Sequence, residues 1–488
     1  MQIIKSAGKS EARLPRVRPD RRRETVRSLG GPLPPLPKIR RVRHPSPLFR
    51  SIKKNRRAND CYNKENYFLK NDEKQGDALL LNVNELLISL SQTLDFAERE
   101  VLPTHLNHGT RVAYVSARVG RKIGIPERDL FDLISYALLH DNGVMASLRR
   151  TNNLGRETPV GVSTVQPLAG DGMSVEAAPS HCVEGEKNLE SFPFIRRQQN
   201  VILYHHENYD GSGFFHIAGA AIPLYSRIIH LADSIAIWFS DGMGPDRIMD
   251  AVIRNARLFD PDLGEAVLEL GAQAEFWLNQ SDRFVQNALT DMLPQVSCEL
   301  DYRQIRAISQ MFSRVIDAKS PFTGSHSRGI SEKAGFICQY YEFDEETYWK
   351  MRIAADLHDL GKLAVPSSIL DKPGKLSRAE FQVIQSHPFY TRKILERIDG
   401  FGDITEWASN HHEKLNGSGY PYGFDRRRLD FNSRILACVD IYQALTEDRP
   451  YRKGMSHAEA VRIMRDMAKQ ELIEESVTED MDSIFRDA

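Results

Sequence analysis

The chain is poor in cysteine, and the cysteines it has are dispersed. Five of them (Cys61, Cys182, Cys298, Cys338 and Cys438) lie far apart among 488 residues, with no CxxC pair. That spacing excludes a zinc knuckle and a disulfide framework, and it reads as reduced cytosolic thiols, most of them buried. Long apolar runs are missing too. No uncharged stretch approaches the roughly 18 residues that a membrane span needs, and the first residues carry no apolar secretory segment. A cytoplasmic location is therefore expected. Strand-like alternation is scarce, which leaves an all-α protein as the reading of fold class.

An excess of one charge sign is also absent, with 65 Lys+Arg against 66 Asp+Glu, but the balance is not local. Residues 1–57 hold 18 basic groups and three acids (Glu11, Asp20, Glu24), while the other 431 residues carry a net charge of −16. Few large apolar residues occur over 1–75, and eight prolines fall between Pro15 and Pro47. Such a segment cannot offset the entropy of ordering and is expected to be a disordered basic arm. Its charge could contact nucleic acid or an anionic surface. A solvated tail is the plainer expectation, because no aromatic or folded motif accompanies the charge. At roughly 150 residues per domain the length suggests about three domains. The expected layout is the arm at 1–75, a first domain at 80–242, a helical connector at 243–300, a second domain at 301–475 and an acidic tail at 476–488.

From Asn84 onward the pattern has helical period. Leu86, Leu87, Leu90 and Leu94 mark one apolar face. Further helix-period segments run over 127–140, 195–206, 225–239, 246–258, 303–318, 345–358, 378–398 and 456–470. The last opens on Ser456-His457-Ala458-Glu459, a capping-box pattern.

Histidines expose an internal repeat. His108, His140-Asp141, His181, His205-His206 and Asp233 in the first half answer to His326, His358-Asp359, His387, His411-His412 and Asp440 in the second. In each half 32 residues separate the first His from the His-Asp pair, and 24 separate the isolated His from the His-His pair. The step from the second His of that pair to the Asp is 27 residues in one copy and 28 in the other. Only the gap from His-Asp to the isolated His differs, 41 residues against 29, and the excess falls in the Gly/Ser/Thr-rich segment 151–180, which reads as a surface loop insertion. The stretch from His205 to Gly213 matches that from His411 to Gly419 at six of nine places. Two copies of one domain are present.

Seven imidazoles and carboxylates recurring in register suit Fe, Mn, Zn or Ni, and the lack of thiolate in the set argues against a Cys-type structural zinc site. Five His and two Asp exceed what one ion accepts. Two ions about 3.5–4 Å apart, joined by a bridging carboxylate, would use them all, as in two-metal phosphoester chemistry.

The second half resembles an HD-GYP domain, a branch of the HD phosphohydrolases, over about 305–470. The resemblance rests on His358-Asp359-Leu360-Gly361-Lys362, on His411-His412-Glu413 through Gly417-Ser418-Gly419-Tyr420-Pro421, and on Asp440 followed by Asp448-Arg449-Pro450-Tyr451-Arg452-Lys453. It implies two tandem helical bundles, the second a cyclic dinucleotide phosphodiesterase acting chiefly on cyclic di-GMP in a bacterial cytoplasm. The implied cofactors are two divalent ions, Fe or Mn, held by His326, His358, Asp359, His387, His411, His412 and Asp440. Metal-held hydroxide would attack phosphorus in line. Asp359 and Lys362 would be catalytic, Lys362 neutralising charge near the scissile phosphate. Gly419, Tyr420 and Pro421 would shape the substrate loop, and Arg449 and Arg452 would hold its phosphates. A homodimer is also expected. Two departures stand out. Phe322 occupies the place of a Glu that some members use for a third metal, and Gln443 replaces a usual acid, with an expected effect on how the ligands are oriented.

The first copy resembles the family less completely. Its metal ligands would be His108, His140, Asp141, His181, His205, His206 and Asp233. Val144 stands where Lys362 does, Gly213-Phe214-Phe215 replaces Gly-Tyr-Pro, and Gly242-Met243-Gly244 lies where the arginines would follow. A metal-loaded but slow or regulatory domain is expected there. Two rival functions are a phosphohydrolase of other nucleotides and a nucleotide-sensing module that passes a signal to partners.

Overall fold

The computed structural model describes residues 79–81, 83–98, 106–147, 178–293, 298–319, 326–448 and 453–486. The expected basic arm and most of the 151–180 insertion lie outside the described residues. Helices dominate, as expected, and among the described residues they are joined by one pair of three-residue strands.

The first copy opens with β1 (Leu79–Leu81), α1 (Val83–Glu98), α2 (His108–Lys122) and α3 (Glu127–Leu138), and continues with α4 (Ala178–Asn188) and α5 (Leu224–Ser240). Next come α6 (Pro245–Arg254), α7 (Pro261–Gly271), α8 (Ala274–Leu278) and α9 (Val285–Thr290) over the span expected to connect the copies. The second copy begins with β2 (Cys298–Leu300), α10 (Tyr302–Lys319), α11 (His326–Tyr340) and α12 (Glu345–Leu357). It goes on through α13 (Ser367–Leu370), α14 (Arg378–Ile384), α15 (His387–Leu395), α16 (Gly402–Ser409), α17 (Phe431–Thr446), α18 (His457–Lys469) and α19 (Glu475–Phe485).

The leucine face of α1 is in the core: Leu86, Leu87, Leu90 and Leu94 are all buried. The capping box at Ser456 is present, with the Glu459 N–H donating to the Ser456 hydroxyl and the Ser456 N–H donating to the Glu459 carboxylate. Two helix-period segments end differently. Residues 195–206 form turns, because the Asp132 carboxylate accepts the N–H groups of Ile195 and Arg196 and the Glu186 carboxylate accepts those of Asn200, Ile202 and Leu203. Side-chain acceptors there displace the helical ladder. The 378–398 segment breaks between α14 and α15. Pro388, which has no N–H to donate, starts a new helix, and His387 is thereby set at its mouth. The acidic stretch at the C-terminus carries α19, with Val477, Met481 and Phe485 buried.

The two copies face each other. β1 and β2, each leading into the first helix of its copy, pair antiparallel with Leu80 opposite Glu299. Phe96 of α1 packs on Tyr390 of α15 with ring centroids 6.2 Å apart, and Gln92 accepts from Arg397 at 3.0 Å. Reciprocally, Arg314 of α10 donates to the Asn188 carbonyl at the end of α4 at 2.7 Å.

Candidate metal centres

In the second copy His326 opens α11, His358 and Asp359 follow α12, His387 opens α15, His411 and His412 follow α16, and Asp440 lies within α17. The fold brings all seven together. Asp359 Oδ1 is 3.3 Å from His387 Nε2 and 3.8 Å from His411 Nε2, while its Oδ2 is 3.1 Å from His358 Nε2. Asp440 Oδ1 lies 3.2 Å from His326 Nε2. Two half-sites result, one of His387, His411 and His412 and one of His326, His358 and Asp440, with Asp359 reaching both.

The backbone sets the ring orientations. His358, His387 and His411 each donate Nδ1–H to the carbonyl three residues earlier, at 2.8, 2.8 and 2.7 Å. A carbonyl only accepts, so the proton sits on Nδ1 and the Nε2 lone pair faces the cluster. His358 Nε2 and Asp359 Oδ1 are buried and make no hydrogen bond. Buried lone pairs turned toward one another without donors suit a cation, so the donor set fits divalent metal. Burial pushes His411 down to about 3, helped by His358 and His387, and drives His412 well below the usual imidazole range. Asp359 would be raised by burial, but His358 and Lys362 hold it well below the carboxylate range. Neutral His411 and His412 beside ionised Asp359 therefore present lone pairs that a divalent cation binds.

Glycines allow the close approach of these elements. A Cβ on Gly361 would lie 2.0 Å from the His387 carbonyl oxygen, and one on Gly419 would lie 2.4 Å from Glu413 Cα. The first copy repeats both contacts, with Gly143 on the His181 carbonyl at 2.1 Å and Gly213 on Glu207. Glu413 accepts the N–H groups of Tyr422 and Phe424, and Glu207 accepts those of Phe215 and Ile217, so each glutamate ties down the loop after its His-His pair. Tyr420 packs on His412 with ring centroids 4.8 Å apart, and half-buried Pro421 follows it in the chain.

The first copy assembles its seven residues the same way. His108 Nε2 is 3.2 Å from Asp233 Oδ1, and His206 Nδ1 is 3.9 Å from Asp233 Oδ2. Asp141 lies within 3.3–3.6 Å of His140, His181 and His205. The difference is beside the shared Asp. Lys362 Nζ is 2.5 Å from Asp359 Oδ2, whereas Val144, buried and on the same turn, offers Asp141 only its backbone N–H.

Three details depart from the sequence reading. Gln443 accepts from Lys333 at 2.7 Å rather than bearing on a ligand, and the acid comes from Glu447, one turn on, whose Oε2 lies 2.8 Å from His326 Nδ1. No spacing rule joins two residues 121 apart, so this partner was not legible. Cys182, read only as one of the reduced, mostly buried thiols, sits with Sγ 3.6 Å from His181 Nε2. Burial would push that thiol up, but His181 and His205 pull it down to about 6. Arg449, Arg452 and Phe322 lie outside the described residues.

Comparison with known proteins agrees with this geometry. The HD domain family model matches residues 173–263 and 310–477. The chain is 30% identical to the 3′3′-cGAMP-specific phosphodiesterase 3 of Vibrio cholerae over 79% of its own length and 90% of that protein's. It is 32% identical to a cyclic di-GMP phosphodiesterase of Pseudomonas aeruginosa over 36% of its length and 42% of that protein's. A crystal structure of a cyclic GMP-AMP specific phosphodiesterase of Vibrio cholerae superposes with a TM-score of 0.58 at 26% identity, covering 85% of this chain and 99% of that one. With the repeated ligand pattern folded into two matching clusters, the chain belongs to the HD-domain family, in its HD-GYP branch.

Proposed function

We propose that the second copy is a two-metal phosphodiesterase of 3′3′-linked cyclic dinucleotides, and that the first copy holds metal but turns over slowly. The observation that carries this reading is the cation beside the shared carboxylate: Lys362 against Asp359 in one copy, Val144 against Asp141 in the other. His326, His358 and Asp440 would hold one ion, His387, His411 and His412 the other, with Asp359 between them. Iron or manganese suits a set of imidazoles and carboxylates without thiolate. Bound there, the ions would acidify water and offset negative charge on the phosphoryl oxygens.

The chain's own groups supply the rest. Lys362 presents an ammonium at the edge of the shared carboxylate, where charge builds on the phosphoryl group in the transition state. Half-buried Tyr420, packed on His412, bounds the substrate's side of the centre, and Glu413 fixes the loop that carries it. Arg449 and Arg452 would bind phosphate. The sequence alone favoured cyclic di-GMP. The relatives that match along most of their length are 3′3′-cGAMP-specific, including phosphodiesterase 1 of Vibrio cholerae at 30% identity over 88% of its length. That similarity makes 3′3′-cGAMP the first substrate to test. Chromatography of the products formed by metal-loaded protein from each cyclic dinucleotide decides it. Faster cleavage of 3′3′-cGAMP is expected, and failure to cleave either one refutes the reading.

A further inference from the structure

Among the described residues the mechanism above leaves three buried thiols unused, and one of them lies beside a cluster of ligands. Cys182 follows the isolated histidine of the first copy and is fully buried. In the second copy Pro388 holds the matching place beside His387 and offers no side-chain donor. The other described buried thiols, Cys338 and Cys438, sit outside the groups of metal-type donors. Cys182 does not: Sγ and one ligand atom each from His181, His205 and His206 all lie within 4.8 Å of one another. On two of these residues a ring nitrogen, His205 Nε2 and His206 Nδ1, is buried without a geometric hydrogen-bond partner. Cys182 has a single S–H to donate and so can serve at most one of these nitrogens, whereas a cation would satisfy the sulfur and the imidazoles together.

The distances fit an ion. A tetrahedral zinc at about 2.3 Å from sulfur and 2.0–2.1 Å from nitrogen holds those two ligands about 3.6 Å apart. The Cys182 Sγ to His181 Nε2 distance is 3.6 Å.

We propose that Cys182 is a metal ligand, and that the first copy thereby carries a thiolate-imidazole half-site of His181, Cys182, His205 and His206 that selects zinc. This rests on the reading of the clusters as metal centres and goes beyond it: the chain holds two chemically different centres. As the ion enters, the Cys182 S–H proton leaves to solvent and the sulfur lone pair forms the bond to the metal, with no change of oxidation state. Thiolate is softer than the carboxylates and imidazoles of the second centre, so the two halves sort different ions from one pool. A regulatory half that fills with zinc would stay loaded under conditions that strip or oxidise the second.

Cobalt(II) tests this without reference to catalysis, since a thiolate ligand gives it a near-ultraviolet charge-transfer band that imidazole and carboxylate do not. Full-length protein is stripped with a chelator and loaded with Co(II). The band is expected in the wild type and in His358→Ala/Asp359→Ala, and it should vanish in Cys182→Ser and in Cys182→Ala, with zinc affinity of the first centre reduced about tenfold or more. Circular dichroism checks that either variant is folded, and one folded variant suffices. Cobalt bound without the band in the wild type, or a band that survives loss of Cys182, overturns the thiolate ligand alone. Cobalt content unchanged in His205→Ala/His206→Ala overturns the metal-centre reading itself, and this proposal with it.

Discussion

A methyl group on Gly361 would lie 2.0 Å from the carbonyl oxygen of His387 and 2.9 Å from the backbone nitrogen of Thr391, where real Cβ contacts stop near 3.0 Å. Gly361→Ala must therefore part the Leu360–Ala364 turn from the mouth of α15 by about 1 Å. Both faces of that seam bear on the metal centre. The Gly361 N–H donates to Thr391 Oγ1 at 3.0 Å, and the Thr391 hydroxyl donates to the His358 carbonyl at 3.0 Å, so the shift breaks a bridge between two ligand-bearing segments. His387 Nε2, now 3.3 Å from Asp359 and 3.2 Å from His411, moves out of register with both. Overpacking of this kind costs about 1–3 kcal/mol of stability, and a displacement of about 1 Å in a reacting assembly can cost about 10²-fold in rate. Gly143→Ala is the internal control, because its Cβ meets the His181 carbonyl at 2.1 Å. A urea midpoint, metal content and turnover should be read on both variants. Both should lose comparable stability, but only Gly361→Ala should lose hydrolysis. Wild-type turnover in Gly361→Ala would refute the argument that this contact sets the ligand geometry.

Other outcomes follow from single contacts. Lys362→Met should lower kcat by about 10²–10³ while leaving two ions bound in the second centre, as kinetics and metal analysis would show; loss of metal instead would mean the lysine serves binding. Glu447→Ala should weaken metal binding about 10–100-fold in a competitive chelator titration, with Glu447→Gln partly restoring it, since an amide oxygen can still accept from His326 Nδ1–H. Burial alone would lower His326, but Asp440 and Glu447 raise it to about 9 in the metal-free chain. Its folded pKa is above the ordinary imidazole value, so this pairing contributes its full stability below about pH 6.5 and loses it as pH rises through about 9. At pH 7 metal uptake must then expel that proton. Calorimetry in buffers of different ionisation enthalpy should show about one proton released at His326 in the wild type and fewer in Glu447→Gln.

Much of the site was legible because its signal is periodic. Imidazoles and carboxylates in matching register marked both copies, and the structure gathers each set of seven. The leucine face of α1 and the Ser456 capping box were equally local and equally readable. What escaped lacked such a signal. The turn-rich segment 195–206 has apolar residues at helical spacing, and only the distant carboxylates of Asp132 and Glu186 decide against a helix there. β1 and β2 are three residues each, too short to show alternation, and exist because the copies meet. The Glu447 contact with His326 depends on a chain crossing that no spacing announces, whereas Cys182 stands next to His181 in the sequence and escaped because the repeat has Pro388 at the matching place. Val144 in place of Lys362 was visible at once, since it falls inside a motif.

The central claim is that hydrolysis belongs to the second copy. His140→Ala/Asp141→Ala and His358→Ala/Asp359→Ala, assayed side by side on 3′3′-cGAMP and cyclic di-GMP with metal content measured on the same samples, test it most directly. The first pair should lose metal and keep most of the hydrolysis, while the second should lose hydrolysis. A second pair that stays active beside a dead first pair would place the chemistry in the other half of the chain.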